Sequence, residues 1–382
     1  MNNDNIKKML AEWQSLQPLK QPLQHQMDQQ FMFDFNYNSN HLEGNTLTYG
    51  QTKLLLLFGR VEGEALFRDY EEMKAHNVGL EMMKREALDK QRHLSEIFIR
   101  ELNSTILAGD FYKTSRDGEY RYKIHTGIYK TRPNSVITPA GAMFDYASPE
   151  ETPSMMADLI SWYRSEEAKH NLSVVELAAL FHYRYIRIHP FEDGNGRIAR
   201  LLVNYILYRF SYPMIVIPTA DRNNYLDILS KCDKITGIAP FDGANATIEQ
   251  IMPFVDYLAQ FIEKKLMLAI QFAKGEVKSF SEYHVVEKNS DNQDNNKLAN
   301  KNVVENVVAK DQENIPKTMS DKRQQLIVNF IKMNNKISAS EIAGILKINT
   351  RTIQRDLDKL KEKRIIQRIG GDKGGFWEIN IS

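Results

Sequence analysis

Within HPFEDGNGRIAR, positions 189–200, a histidine, two acids, two glycines and two arginines stand between apolar runs. Neutral imidazole titrates near neutral pH, so His189 is a candidate general base. Arg197 and Arg200 are three apart in a stretch of helical spacing, and so are neighbours on one helix surface. Cations in a first helical turn oppose the macrodipole, at a cost of about 0.3–1 kcal/mol each. A polyanion reverses that sign. Gly194, Asn195 and Gly196 tolerate left-handed backbone angles and close approach of a ligand. With the free N–H groups of a helix start they make a phosphate cradle. Asp193 beside them can share Mg²⁺ with phosphate oxygens. The ligand these residue types call for is a nucleoside polyphosphate.

Two other readings fit parts of the same spacing. Residues 194–199 spell G-x-G-x-x-A, a dinucleotide fingerprint that must follow a strand and open a βαβ unit. The preceding YIRI could pass for a strand, but no alternating strand–helix series surrounds it, and Arg197 is left unexplained. The plainer alternative is a helix-capping loop whose arginines pair with surface acids. No G-x-x-x-x-G-K-[ST] occurs, which removes a P-loop.

The elements that must position these residues follow from punctuation and period. Pro190 disfavours helical geometry at His189, so the helix before it is expected to stop there. That helix, SVVELAALFHYRYIRI, begins with a Ser173/Glu176 capping box and is apolar nearly all round, as a buried central helix is. After the glycines, RIARLLVNYILYRF resumes helical spacing with Ile198, Leu201, Leu202, Tyr205 and Ile206 on one face. Residues 1–102 carry a helical pattern, with YEEMKAHNVGLEMMKREALDKQRHLSEIFIREL expected as one long amphipathic stretch. GEYRYKIHTGIYKTRPNSVITP has the aromatic and β-branched texture of a hairpin. His41, His125, His170, His182 and Trp162 show no metal-ligand spacing and are expected in the core or on the surface.

The 382 residues, 42% of them hydrophobic, allow two or three domains, and a net charge of +1 points to no partner class. The single cysteine, Cys232, cannot form an internal disulfide, which favours a reducing compartment. No apolar h-region follows MNNDNIKKML, and no apolar run approaches membrane-spanning length. A soluble cytoplasmic protein is expected, with no membrane partner. Residues 284–318 have the polar composition of a linker. Residues 321–382 carry thirteen Lys and Arg against seven Asp and Glu, a net +6 that leaves −5 for residues 1–320.

His189-Pro190-Phe191-Glu192-Asp193-Gly194-Asn195-Gly196-Arg197-Ile198-Ala199-Arg200 resembles, at every fixed position, the H-P-F-x-[DE]-G-N-G-R-x-x-R signature of the Fic family. The resemblance covers roughly residues 30–270. It implies a mainly α protein, an all-α core with a small β-hairpin flap, and AMP transfer from ATP to a Ser, Thr or Tyr hydroxyl of a target protein or of the chain itself. By this resemblance His189 deprotonates the hydroxyl and Asp193 coordinates Mg²⁺. Gly194, Asn195 and Gly196 form the anion hole, and Arg197 and Arg200 hold the β and γ phosphates.

Ser39-x-x-x-Glu43-Gly44-Asn45 resembles the [ST]-x-x-x-E-[GN]-N motif of the family's inhibitory helix. It implies that Glu43 pairs with Arg200 and takes the space of the γ-phosphate; the local alternative is a helix ended by a glycine cap. YKTRPNSVITPAGAMFDY resembles the flap, whose edge lines up a target segment by strand addition. Ala140-Gly141-Ala142 stand where a proline-rich sequence is common. DRNNYLDIL resembles an R-x-x-Y-Y segment near the adenine, with Tyr225 as the first tyrosine and Leu226 replacing the second; a buried core tyrosine is the alternative.

The tail resembles a winged helix-turn-helix. Ser338 and Glu341 form a capping box, a second helix starts at Thr350, and two β-like runs flank GGDKGG. Ile353, Leu357 and Leu360 are expected inward; Arg351, Thr352, Gln354 and Arg355 are expected outward, as DNA-contacting residues. Asp356 and Asp358 are expected to soften that face, and dimerisation, including a homodimer, or docking is the other use of such modules. The expected organisation is an N-terminal helical region at 1–100, a Fic core at 101–275, a linker at 276–320 and a winged helix at 321–382. Two further readings of function stand beside AMP transfer: a DNA-binding regulator whose core senses nucleotide, and a hydrolase removing AMP with Glu43 orienting water.

Overall fold

The computed structural model describes residues 3–60, 63–115, 118–137 and 143–280. In the tail it describes 324, 327–328, 331, 335, 337–346, 349–363, 365–370 and 375–379. The linker expected at 284–318 and the turn Ala140–Ala142 lie outside the described residues. The chain divides into two compact units, Met1–Lys288 and Asn289–Ser382.

In the first unit the helices are α1 (Asn3–Ser15), α2 (Gln21–His41), α3 (Tyr49–Phe58), α4 (Phe67–Leu88), α5 (Glu96–Ile106), α6 (Thr152–Lys169), α7 (Val174–Ile188), α8 (Asn195–Arg209), α9 (Arg222–Thr236), α10 (Pro240–Ala244) and α11 (Met252–Ala273). Between α5 and α6 run β1 (Phe111–Thr114), β2 (Arg121–Ile124), β3 (Val136–Ile137) and β4 (Met143–Phe144).

Helix α7 is central because its sequence allows nothing else. Ser173 Oγ accepts from Glu176 N (3.3 Å) and Glu176 Oε2 accepts from Ser173 N (2.8 Å), closing the expected capping box. Val175, Leu177 to Tyr183, Tyr185, Arg187 and Ile188 are all buried, and Arg184 and Ile186 are half-buried. The helix packs against α6, α8, α10 and α11. Each large apolar side chain so covered contributes about 1.5–3 kcal/mol. The helix stops where Pro190 requires: His189 caps it in the left-handed region, φ +52°.

Two expectations are corrected. The long stretch from Tyr70 to Leu102 is two helices, α4 and α5, because tertiary contacts claim the residues between them. Arg209 donates to Asp89 O (2.9 Å) and Lys90 to Arg209 O. Ser95 then caps α5 by accepting from Phe98 N (3.2 Å). The hairpin texture is likewise two hairpins. β1 pairs with β2, Phe111 opposite Ile124 and Thr114 opposite Arg121, and β3 pairs with β4.

In the second unit α12 (Ala339–Leu346) starts at the Ser338/Glu341 box, with Glu341 N donating to Ser338 Oγ (3.2 Å). α13 (Thr350–Glu362) starts at Asn349, and β5 (Ile366–Ile369) pairs antiparallel with β6 (Phe376–Ile379). Ile353, Leu357 and Leu360 join Ile342, Ile366 and Trp377 in one core. The architecture is a winged helix-turn-helix.

Candidate active site

The site forms where α7 ends and α8 begins. Gly194 caps α8 with φ +81°, a conformation that strains any residue bearing a Cβ, and such a Cβ would also lie 3.3 Å from Asn103 Nδ2. Asn195 locks the loop through Oδ1, accepting from Phe191 N (3.0 Å), and Nδ2, donating to Phe191 O (2.7 Å). Asn103 donates to Asp193 O (2.9 Å) and accepts from Gly127 N (2.9 Å). The N-terminus of α8 is therefore held rigidly, with its first N–H groups opening on the site.

His189 Nδ1 lies 3.3 Å from Ile186 O. A carbonyl only accepts, so Nδ1 carries the proton there and Nε2 keeps its lone pair. Tyr146 stacks on the imidazole, centroids 4.0 Å apart and planes at 19°. Burial, aided by the charge of Lys130, pulls the imidazole pKa down to about 4. It is neutral at pH 7, the state a proton acceptor needs.

Arg197 and Arg200, in the first two turns of α8, are both buried, 2% and 4% exposed, and each has an acid. Arg197 donates to Glu72 on α4 (3.0 Å), and Arg200 to Glu43 (2.8 Å). Arg200 also donates to Ser39 Oγ (3.1 Å) and Ser39 O (2.8 Å). Glu43 lies directly over Gly196, where a Cβ would meet its Oε1 at 2.2 Å. Burial raises the Glu43 pKa, but Arg200 pulls it further the other way, so the carboxylate is ionised below its usual range. Gly44, φ +95°, ends the turn after α2, and Asn45 fastens it by donating to Asp69 O (3.0 Å).

Asp193 accepts from Gly194 N (2.6 Å) through Oδ1 and pairs with Lys113 Nζ (2.7 Å) through Oδ2. Burial acts to raise its pKa, but Lys113 and Arg197 outweigh it and hold the carboxyl below its usual range. No cluster of three or more His, Cys, Asp or Glu that could hold a metal exists among the described residues. One ionised carboxylate suits Mg²⁺, which keeps waters and takes the rest of its oxygens from phosphates. The neighbouring Glu192 turns away to Arg132 (2.7 Å).

The structure thus brings together His189, Asp193, Gly194, Asn195, Gly196, Arg197, Arg200, Ser39 and Glu43. Tyr225 is 4% exposed, its hydroxyl bonded to His182 Nε2 (2.8 Å) and its ring among Phe254 and Tyr257; burial raises its pKa, and Arg200 of the site acts on the same phenol. On α13, Arg351, Gln354 and Arg355 are exposed and Thr352 is half-buried. Asp356 corrects the sequence expectation: it is 2% exposed, so Asp358 alone of that pair lies on the outer face. Glu72 and Lys113 give no sequence signal as site neighbours, since each is brought in from another element; Lys130 and Tyr146 lie in the flap-like segment 129–146, but their contacts with the histidine corner do not follow from its pattern.

Residues 93–207 match the model of the Fic/DOC family, and residues 323–375 match an HTH domain. A Fic domain containing signaling protein from Bacteroides thetaiotaomicron is 59% identical, with 73% of this chain and 99% of that one covered at a TM-score of 0.68. A fragment of Fic-1 from Caenorhabditis elegans is 25% identical over 71% of this chain and 72% of that one, TM-score 0.55. Among curated proteins, protein adenylyltransferase fic-1 of Caenorhabditis briggsae is 29% identical over 61% of this chain, and that of C. elegans 28% over 68%. The chain spans only 40% and 46% of the length of those two relatives. The 59% identity over nearly the whole of the Bacteroides protein, with the matched 93–207 segment containing the helix–loop–helix corner, shows that this chain belongs to the Fic/DOC family.

Proposed function

We propose that this protein transfers AMP from ATP to a Ser, Thr or Tyr hydroxyl of a target protein, or of itself, and that Glu43 restrains it. The observation that carries the reading is a neutral imidazole with Nε2 free, set beside an α-helix start that holds two buried arginines. His189 Nε2 takes the hydroxyl proton as the oxygen bonds the α-phosphorus. The bond from that phosphorus to the bridging oxygen breaks, and pyrophosphate leaves. Its charge develops against the N–H groups of α8, Arg197 and Arg200, donors already fixed before reaction. Asp193 is the residue that would hold Mg²⁺, which supplies charge neutralisation across the phosphates when bound.

Glu43 restrains this chemistry by occupying Arg200 and the space over Gly196. ATP then enters with its γ-phosphate displaced and its α-phosphorus out of line, a misplacement that costs ~10²-fold or more in rate. The names of the nematode relatives support the activity. The buried, unpaired thiol of Cys232 supports a reducing, cytoplasmic setting. The deciding test compares Glu43→Gly with Glu43→Gly/His189→Ala, using ATP labelled at the α-phosphate. Label on protein in the first and its loss by ~10²–10⁴-fold in the second is expected; equal label in both removes His189 as base.

A second reading concerns the tail. The exposed cations Arg351 and Arg355 on the second helix of a winged helix-turn-helix fit a duplex major groove, and we propose DNA as the partner of that unit.

A further inference from the structure

At φ +52°, His189 lies beyond the last turn of α7, where helix carbonyls lack intrahelical partners. One segment from another part of the chain supplies those partners. Lys130 Nζ donates to Ile188 O (3.1 Å) and His189 O (2.9 Å), and Lys130 N donates to Pro190 O (2.9 Å). Asn134 Nδ2 donates to His189 O (3.1 Å) and Phe191 O (2.9 Å). The two side chains brace each other, Lys130 Nζ donating to Asn134 Oδ1 (2.9 Å).

A lysine 3% exposed is unusual, because an ammonium taken out of water must be satisfied by hydrogen bonds. Burial lowers its pKa to about 7. Every named hydrogen bond of this ammonium goes to the histidine corner or to Asn134. The same segment leads into β3, and the chain leaving β4 carries Tyr146 onto the imidazole. The two stems of one short hairpin therefore hold His189, one by its backbone and the other by its ring.

We propose that Lys130 is a positioning residue for His189, tying the backbone of Ile188–Pro190 to the stem of β3 so that the imidazole keeps its place under Tyr146. The kinetic consequence rests on the AMP-transfer reading. The hydrogen bonds of Lys130 Nζ go to Ile188 O, His189 O and Asn134 and none goes to Arg197 or Arg200, so its loss is read in turnover and not in the affinity for ATP. A displacement of ~1 Å at a reacting group costs ~10²-fold.

The experiment uses the full chain carrying Glu43→Gly, with Lys130→Met, Lys130→Arg and Asn134→Ala added singly. Lys130→Met is expected to lower kcat by ~10–100-fold with KM for ATP within about twofold, and Lys130→Arg to recover most of the loss. A kcat retained within about twofold, or a loss that lies in KM, overturns the proposal. Should Lys130→Met fail to melt cooperatively, Asn134→Ala decides by the same criteria. NMR of histidine-labelled protein, with His189 assigned by His189→Ala, gives a readout independent of activity. The Tyr146 ring shifts the His189 resonance upfield; Lys130→Met, or Asn134→Ala in its place, is expected to abolish that shift and Lys130→Arg to keep it. An unmoved resonance overturns the proposal even if no variant transfers AMP, a result that alone would sink only the AMP-transfer reading.

Discussion

Glu43 Oε1 lies where a methyl group on Gly196 would be, 2.2 Å from the Cβ that glycine lacks, while the same oxygen accepts from Arg200. One carboxylate thus covers the helix start and neutralises Arg200, which is the basis of the proposed restraint. Glu43→Gly is expected to raise self-labelling from α-labelled ATP by ~10²-fold, with ATP affinity measured by calorimetry changing far less. Unchanged labelling would leave the residue a structural one.

The pH dependence follows from His189. A base with a pKa near 4 is already deprotonated at pH 5.5, so the acid limb of kcat/KM attributable to it is expected near pH 4, not 6.5. His182, pulled down to about 3 by burial and then by Arg200, and His76, lowered by burial with Arg197 and Arg200, share this direction. A folded pKa below the unfolded value means that the unfolded chain binds more protons. Each group's contribution is present above pH 6.5 and is lost as pH falls through its folded value, at up to about 1.4 kcal/mol per pH unit. Urea midpoints falling steadily from pH 6.5 to 4.5 are expected, and a flat profile would contradict the neutral burial.

Asp193→Asn removes the ionised oxygen next to the cradle. In the Glu43→Gly chain the Mg²⁺ concentration giving half-maximal ATP-dependent thermal stabilisation is expected to rise ~10-fold or more. ATP without metal should stabilise both chains to a similar, smaller extent.

The helix–loop–helix corner was legible because its punctuation is local: Pro190 stops one helix and Gly194 starts the next. The capping boxes at Ser173 and Ser338 were legible for the same reason. Between α4 and α5 no glycine or proline marks the break. Asp89 and Lys90 are drawn to Arg209, 120 residues away in the Asp89 case, and a period count cannot register that. The first strand of the first hairpin escapes the sequence pattern because FYKT is four residues long and alternates half-buried with exposed positions. Glu72 and Lys113 are ordinary helix and strand charges until the fold sets them against Arg197 and Asp193. Asp356 is buried against expectation because the buried stripe of α13 is wider than its three apolar residues suggest.

For the second unit, mobility shifts with short duplexes are expected to weaken steeply with salt. Arg351→Ala and Arg355→Ala should each lower the slope of log K against log[salt] by ~1 if they meet phosphates. Absence of any shift at low salt would assign the unit to protein contacts instead.

The turn bearing Glu43 is fastened at both ends. Arg222 donates to Leu42 O (3.2 Å), Asn45 to Asp69 O (3.0 Å), and Thr46 to the Asp69 carboxylate through N (3.1 Å) and through its hydroxyl. Detaching it gives up several hydrogen bonds at about 1 kcal/mol each, so the unlatched form is populated at ~10⁻²–10⁻³ at equilibrium. A resting pool of that size would set a slow, constant background of modification, and any partner that gripped the open form would raise the output by no more than the inverse of that fraction.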